Sequence, residues 1–216
     1  MTNPAAYCAL FLLPAGWASP AAAADVSAEL GLVSDYRYRG ISLSDGKPAA
    51  QASITLEHDS GAYASIWSST ISEPAFDADI ELDLTGGYAV QLAESLSADL
   101  SATYFVYPSE ASSNYAEVTA TVERSQGPAT VGVGVSFVPR QGGTLDDDGR
   151  KGRNSYLFVG ASYNLPRIPL TLSAQLGRER GIFDEAEQGG KWDWSIGGSL
   201  TWKQLQLGLV YSGADP

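Results

Sequence analysis

The sequence predicts an all-β fold, an antiparallel up-and-down transmembrane β-barrel of about twelve strands, and three observations predict it. Short segments alternate apolar and polar residues from one end of the chain to the other. The connections between them alternate between long and polar and short and tight. The chain also carries 23 glycines, 11 tyrosines and 5 tryptophans, residues that suit turns and pleated surfaces rather than helix. Nothing in the composition shifts midway to mark a second domain.

Residues 1–24 read as an export signal. An apolar run begins at Ala9 and closes on Ala22-Ala23-Ala24, the small-residue pattern at which signal peptidase cuts. Cleavage there leaves Asp25 first and residues 25–216 as one barrel domain. No Lys or Arg precedes the apolar core, which leaves open a translation start upstream of Met1. Pro14 and Pro20 interrupt the run, so it falls short of the ~20 residues of a spanning helix. Ala5-Ala6-Tyr7 ahead of Cys8 lacks a lipoprotein cleavage box. Cys8 is the one cysteine, so the mature chain has no disulfide or Cys metal site.

After Asp25 the period is two, the mark of strands whose faces meet different surroundings. In residues 26–37, Val26, Ala28, Leu30, Leu32 and Tyr36 oppose Ser27, Glu29, Asp35 and Arg37. In 50–57, Ala52, Ile54 and Leu56 oppose Ser53, Thr55 and Glu57. In 79–88, Ile80, Leu82 and Leu84 oppose Glu81, Asp83 and Thr85. In 96–107, Leu100, Ala102 and Tyr104 oppose Asp99, Ser101 and Thr103. Weaker versions follow at 62–70, 114–124, 129–138, 154–164, 170–179, 192–202 and 205–211, making about eleven strands of the ~9 to 11 residues that cross a bilayer when tilted.

A soluble barrel would alternate too. Two features favour the membrane. Gly, Ser, Thr and carboxylates on the polar face make a lumen pattern, and Tyr36, Tyr88, Tyr104, Trp194, Trp202 and Tyr211 sit where aromatic girdles belong. Long connections at 38–48, 71–78, 108–113, 139–153 and 181–190 alternate with tight ones at 58–61, 91–95, 125–128, 165–169 and 203–204. That is the plan of outer-membrane barrels, with the short turns periplasmic.

A formal net charge of −12 excludes nucleic acid as a partner, because a DNA or RNA binder needs cations to replace phosphate counterions. The expected partners are outer-membrane lipid, lipopolysaccharide and small solutes. No nucleotide loop or zinc spacing is present, and no cofactor is implied.

The motif Ser34-Asp35-Tyr36-Arg37-Tyr38-Arg39-Gly40-Ile41-Ser42, with Asp45, Lys47-Pro48-Ala49 and His58-Asp59-Ser60-Gly61-Ala62-Tyr63-Ala64, resembles the TorF family of porins, formerly catalogued as proteobacterial proteins of unknown function. Trp67-Ser68, Glu81-Leu82-Asp83 and Asn114-Tyr115-Ala116-Glu117 extend the resemblance along the mature chain. It implies a diffusion channel without naming a solute. Such chains finish on a strand with a terminal aromatic residue, whereas this one stops at Tyr211-Ser212-Gly213-Ala214-Asp215-Pro216, so one strand of twelve is expected to be missing.

The candidate lumen or constriction residues are Asp35, Arg37, Arg39, Glu57, Glu81, Asp83, Asp99 and Glu117. The charges at 35–39, with Asp45 and Lys47, fit a filter; they also fit a salt-bridged network that fixes the loop, which is the stronger reading. Inward carboxylates, Glu29 and Asp193 among them, outnumber inward bases, and acidic rings favour cations. The rival is that they pair with Arg or Lys and plug a narrow lumen. Asp146-Asp147-Asp148-Gly149 is a weak metal candidate through Asp146 and Asp148; without EF-hand spacing, a solvated tip is the stronger reading. His58, the sole histidine, lies in a tight turn with no placed nucleophile, and catalysis is not expected. The function expected is passive diffusion of small hydrophilic solutes with cation preference. The competing class is a non-conducting structural or adhesive barrel.

Overall fold

The computed structural model describes residues 24–72, 78–146, 148–184 and 189–215 in full and residues 5–12 as backbone. The expected cleavage motif at 22–23 and Asp147 of the acidic run lie outside the described residues. The strands are β1 (Ala5–Leu12), β2 (Ala24–Val33), the short β3 (Arg37–Tyr38) and β4 (Ile41–Ser42), then β5 (Ala49–His58), β6 (Ala62–Thr70) and β7 (Ile80–Ala93). They continue with β8 (Leu96–Val106), β9 (Tyr115–Gln126), β10 (Ala129–Val138), β11 (Asn154–Asn164), β12 (Leu170–Gly181), β13 (Lys191–Trp202) and β14 (Leu205–Asp215). A 3-10 turn at Ala111–Ser113 is the helical piece among the described residues.

β1, β2 and β5 to β14 form a closed barrel in which each strand pairs antiparallel with its neighbours. Closure matters because a sheet edge leaves backbone N–H and C=O groups unpaired, which a membrane core cannot satisfy. The twelfth position is filled from an unexpected place. β1, inside the segment read as an export signal, pairs with β14 from Ala5↔Ser212 to Leu12↔Leu205 and with β2 from Ala9↔Val33 to Leu12↔Leu30.

Period-two patterning translates directly into the wall. Val26, Leu30, Ile54, Ile66, Leu84, Leu100, Val133, Leu157, Ile196 and Leu209 all face outward and are exposed. An apolar belt this continuous is what a lipid-facing wall presents. Tyr88, Tyr104, Trp202 and Tyr211 are exposed on the same face, and Trp194 packs against Tyr211 with centroids 5.2 Å apart.

Tyr36 departs from its expected place in the outer girdle. β2 ends at Val33, so the parity of the strand no longer governs Tyr36, which turns inward and packs at a tilt against Trp67, with ring centroids 5.3 Å apart. The packed core lies in the lumen at the long-loop end. Ile71, Ala78, Phe105, Tyr107, Tyr115 and Val138 are buried there, with Tyr36, Tyr38, Leu43 and Phe183 packed against them.

A candidate constriction formed by the first long loop

The loop from β2 to β5 folds into the barrel rather than away from it. β3 and β4 pair as Arg37↔Ser42 and Tyr38↔Ile41, leaving Arg39 and Gly40 as a two-residue turn. Both have positive φ, 47° and 80°, as a hairpin turn of the mirror-image type I geometry requires. Glycine is needed at position 40 for a second reason. A Cβ there would sit 2.6 Å from the Gly213 carbonyl oxygen and 2.8 Å from Ala214 Cβ, so the tip rests directly on β14.

The base of the hairpin is fixed by Asp35. Its carboxylate accepts hydrogen bonds from Ser42 Oγ at 2.5 Å and Ser44 Oγ at 3.1 Å, and pairs with Arg37 Nε at 2.6 Å. Arg37 Nη1 also donates to the Gly40 carbonyl at 2.7 Å, bracing the turn from within. Tyr36 N–H donates to Ser44 Oγ, and its hydroxyl donates to Glu81 Oε1 at 2.7 Å. Tyr107 donates to the other oxygen of Glu81 at 3.0 Å. Burial and the neighbouring Glu81 carboxylate raise the pKa of Tyr36 and of Tyr107, which keeps both as donors.

The tip crosses the lumen. Arg39 Nη1 donates to Glu179 Oε1 on β12 at 2.6 Å, and Nη2 donates to both oxygens of Glu117 on β9 at 2.6 Å. Its guanidinium lies 4.1 Å from the Tyr156 ring centroid and 4.7 Å from that of Tyr38, within cation–π range. Burial works against the Arg39 charge, but Tyr38, Glu117 and Glu179 outweigh it and hold its pKa above the ordinary value.

The receiving wall is built without help from the hairpin. Tyr156 on β11 lies over Gly177, where a Cβ would meet its hydroxyl at 2.1 Å, and Phe158 lies likewise over Gly134. The two rings stack at 5.4 Å. The Tyr156 hydroxyl donates to Asp193 Oδ1 at 2.9 Å and accepts from Gln175 at 3.2 Å. Glu179 is held by Asn154 at 2.8 Å and by Lys191 at 2.7 Å.

Of the residues singled out in the sequence, the structure joins Asp35, Arg37, Arg39, Glu81 and Glu117 in or beside this constriction. Asp83 faces the same region, and among the described residues its Oδ1 is buried without a hydrogen-bond partner. Glu57 and Asp99 belong to the other half of the barrel: Glu57 pairs in register with Tyr63 near the short turn, and Asp99 with Thr121. Asp146 and Asp148 sit at an exposed tip. Asp146 Oδ1 accepts from the Asp148 and Arg150 backbones, and Asp148 pairs with Arg150. Among the described residues no group of three His, Cys, Asp or Glu could hold a metal ion. His58 is exposed, with Nδ1 2.9 Å from Ser60 Oγ.

Glu179, Lys191, Asn154 and Tyr156 were not singled out. Arg178 and Arg180 flank Glu179, so the apolar alternation that marks an inward carboxylate elsewhere is absent at the end of β12. Arg178 faces outward and lies over the Trp192 ring at 4.6 Å.

Beyond the constriction, toward the short-turn end, the lumen opens into a polar cavity of about 250 Å³ lined by Thr121, Glu123, Thr130, Ser162, Ser173 and Gln175 among others. Small inward residues make this space. Cross-strand hydroxyl pairs, Thr85 with Thr103 at 2.9 Å and Thr119 with Ser136 at 2.8 Å, satisfy the lumen wall.

A model of the family described as "Bacterial protein of unknown function (Gcw_chp)" matches residues 17–216. Among solved structures, the NanC porin is similar with a TM-score of 0.55 at 8% identity, covering 98% of this chain and 100% of that one. An outer membrane channel from Pseudomonas putida F1 is similar with a TM-score of 0.48 at 14% identity, covering 100% of this chain and 97% of that one. OpdL of Pseudomonas aeruginosa has a TM-score of 0.39 at 14% identity, over 88% of this chain and 67% of that one. No curated protein matches the chain in sequence. The likeness to the NanC porin is one of fold.

Proposed function

The chain belongs to the Gcw_chp family of bacterial proteins, and we propose that it is a narrow porin-like channel of the outer membrane, passing small hydrophilic solutes by diffusion and preferring cations. The TorF resemblance points the same way. The observation that carries the reading is a polar lumen cavity of about 250 Å³ bounded on one side by a charged constriction. Side chains can fill a barrel of about eight strands outright, whereas this twelve-stranded wall leaves the space open.

The cation preference rests on Glu123, the carboxylate that lines the open cavity. A low-dielectric wall focuses the field of such a group and raises local cation concentration. Residues 1–24 serve in this reading as the export signal, and β1 is then a strand of the precursor.

One observation favours the second reading, a non-conducting barrel: the hairpin at 37–42 fills the long-loop end of the lumen and is bonded to both sides of it. Planar-bilayer recording under a salt gradient separates the two. Discrete current steps with a cation-selective reversal potential are expected. Silence from a folded, correctly inserted barrel would favour the structural role.

A further inference from the structure

Arg39 is held in the manner of a ligand. It enters from a loop on a two-residue turn, while every other group around it except Tyr38 belongs to the barrel wall. The wall keeps its shape independently: Tyr156 is fixed by Gly177, Asp193 and Gln175, and Glu179 by Asn154 and Lys191. Glu117 is different. The hydrogen bonds it accepts come from Arg39 and Tyr38, both on the hairpin.

Withdrawal of the hairpin would therefore expose a planar, anionic, aromatic-floored pocket. Among the described residues, Lys191 would then be the one cation paired with the carboxylates Glu117, Glu179 and Asp193, and Asp193, 3% exposed, already has a buried Oδ2 without a partner. Two carboxylates spaced to receive the two arms of a guanidinium, over a tyrosine ring, select a planar forked cation over a spherical one. The pocket also adjoins the lumen cavity. Gln175 donates to the Tyr156 hydroxyl and lines the polar cavity, as does Phe158, which stacks on Tyr156.

We propose that the Glu117–Glu179–Tyr156 pocket is a binding site for guanidinium-type organic cations, occupied in the closed barrel by Arg39 as a tethered ligand. A free guanidinium compound competes with Arg39, and its binding releases the hairpin from the wall. This rests on the channel reading for its consequence, opening, but not for the binding itself.

The test uses methylguanidinium chloride, at millimolar concentration and constant ionic strength, on the refolded full-length protein and its R39A, R39K and R39A/E117Q/E179Q variants. Thermal unfolding reports binding. R39A is expected to gain stability saturably, with a half-saturating concentration at least about tenfold below that for sodium or tetramethylammonium, which corresponds to ~1.4 kcal/mol of preference. The triple variant should lose this gain. If R39A does not refold alone, methylguanidinium in the refolding buffer should restore it. R39K, which keeps a charge but not the fork, should show a partial response. No methylguanidinium-specific gain or rescue in either R39A or R39K would overturn the site. Bilayer currents give the second readout: binding without conduction in any variant would leave the site and remove the channel, whereas an R39A current indifferent to methylguanidinium would leave the channel and remove the site.

Discussion

At the residue scale, two neighbours in the first loop have separable roles. Arg39 carries the electrostatics: removing it leaves Glu117 and Glu179 buried without their shared cation, and a broken buried pair costs about 3–5 kcal/mol. R39A should therefore unfold at a lower temperature than the unmodified protein, a result that circular dichroism on heating would reveal. Gly40 carries the geometry. At φ 80° and against the backbone of β14, an alanine there meets both strain and overlap, so G40A should destabilise the hairpin by about 1–3 kcal/mol while leaving every charge in place. Faster proteolysis within residues 34–48, with the barrel intact, is the expected signature. Equal protease resistance in G40A and the unmodified chain would mean that the tip does not need the close contact.

At the element scale, the strands were legible because period two leaves little freedom: a one-residue slip would send Leu84 into the lumen and Asp83 into lipid. The eleven segments read from Asp25 onward correspond to β2 and β5 to β14, with ends displaced by a few residues. What alternation could not convey was what the first loop does. Asp35, Tyr36, Arg37 and Arg39 continue the pattern of β2 in the sequence, but the chain turns at Val33 and closes a hairpin on Arg39-Gly40, so their parity says nothing about their direction. Glu179 was hidden for the opposite reason, since its outward neighbours are arginines at the rim. The wall itself makes a contrasting pair of predictions. Leu84→Arg, on the apolar face of β7, should cost ~2–4 kcal/mol in lipid vesicles. Thr121→Arg, beside the cavity, should leave unfolding nearly unchanged and move ion selectivity toward anions. β1 raises its own question. If residues 1–24 are the export signal, N-terminal sequencing of protein from the outer membrane should begin at Asp25, and the edges of β2 and β14 must close without β1; a protein that retains residues 5–12 would make β1 a permanent strand.

At the scale of the whole molecule, the barrel has two unlike halves. The long-loop half is packed with aromatic rings, ion pairs and a hairpin, while the short-turn half holds polar, small-residue-lined space. In the proposed channel, that asymmetry would put the resistance to flow at one end, where Arg39 bridges β9 and β12 and the turn rests on β14. Cation preference, if it arises from carboxylates along this path, should weaken as salt rises, because the screening length shrinks from ~10 Å at 0.1 M to ~3 Å at 1 M. Replacing Glu81 and Asp83 with Gln and Asn together should reduce the preference at low salt; an unchanged reversal potential would remove them from the conducting path. The most direct test of the whole account is the single-channel conductance of the unmodified barrel beside one in which residues 37–42 are replaced by a short glycine linker. A several-fold rise in conductance with cation preference retained is expected. Equal conductance in the two proteins would contradict it, because the hairpin would then not be what restricts the lumen.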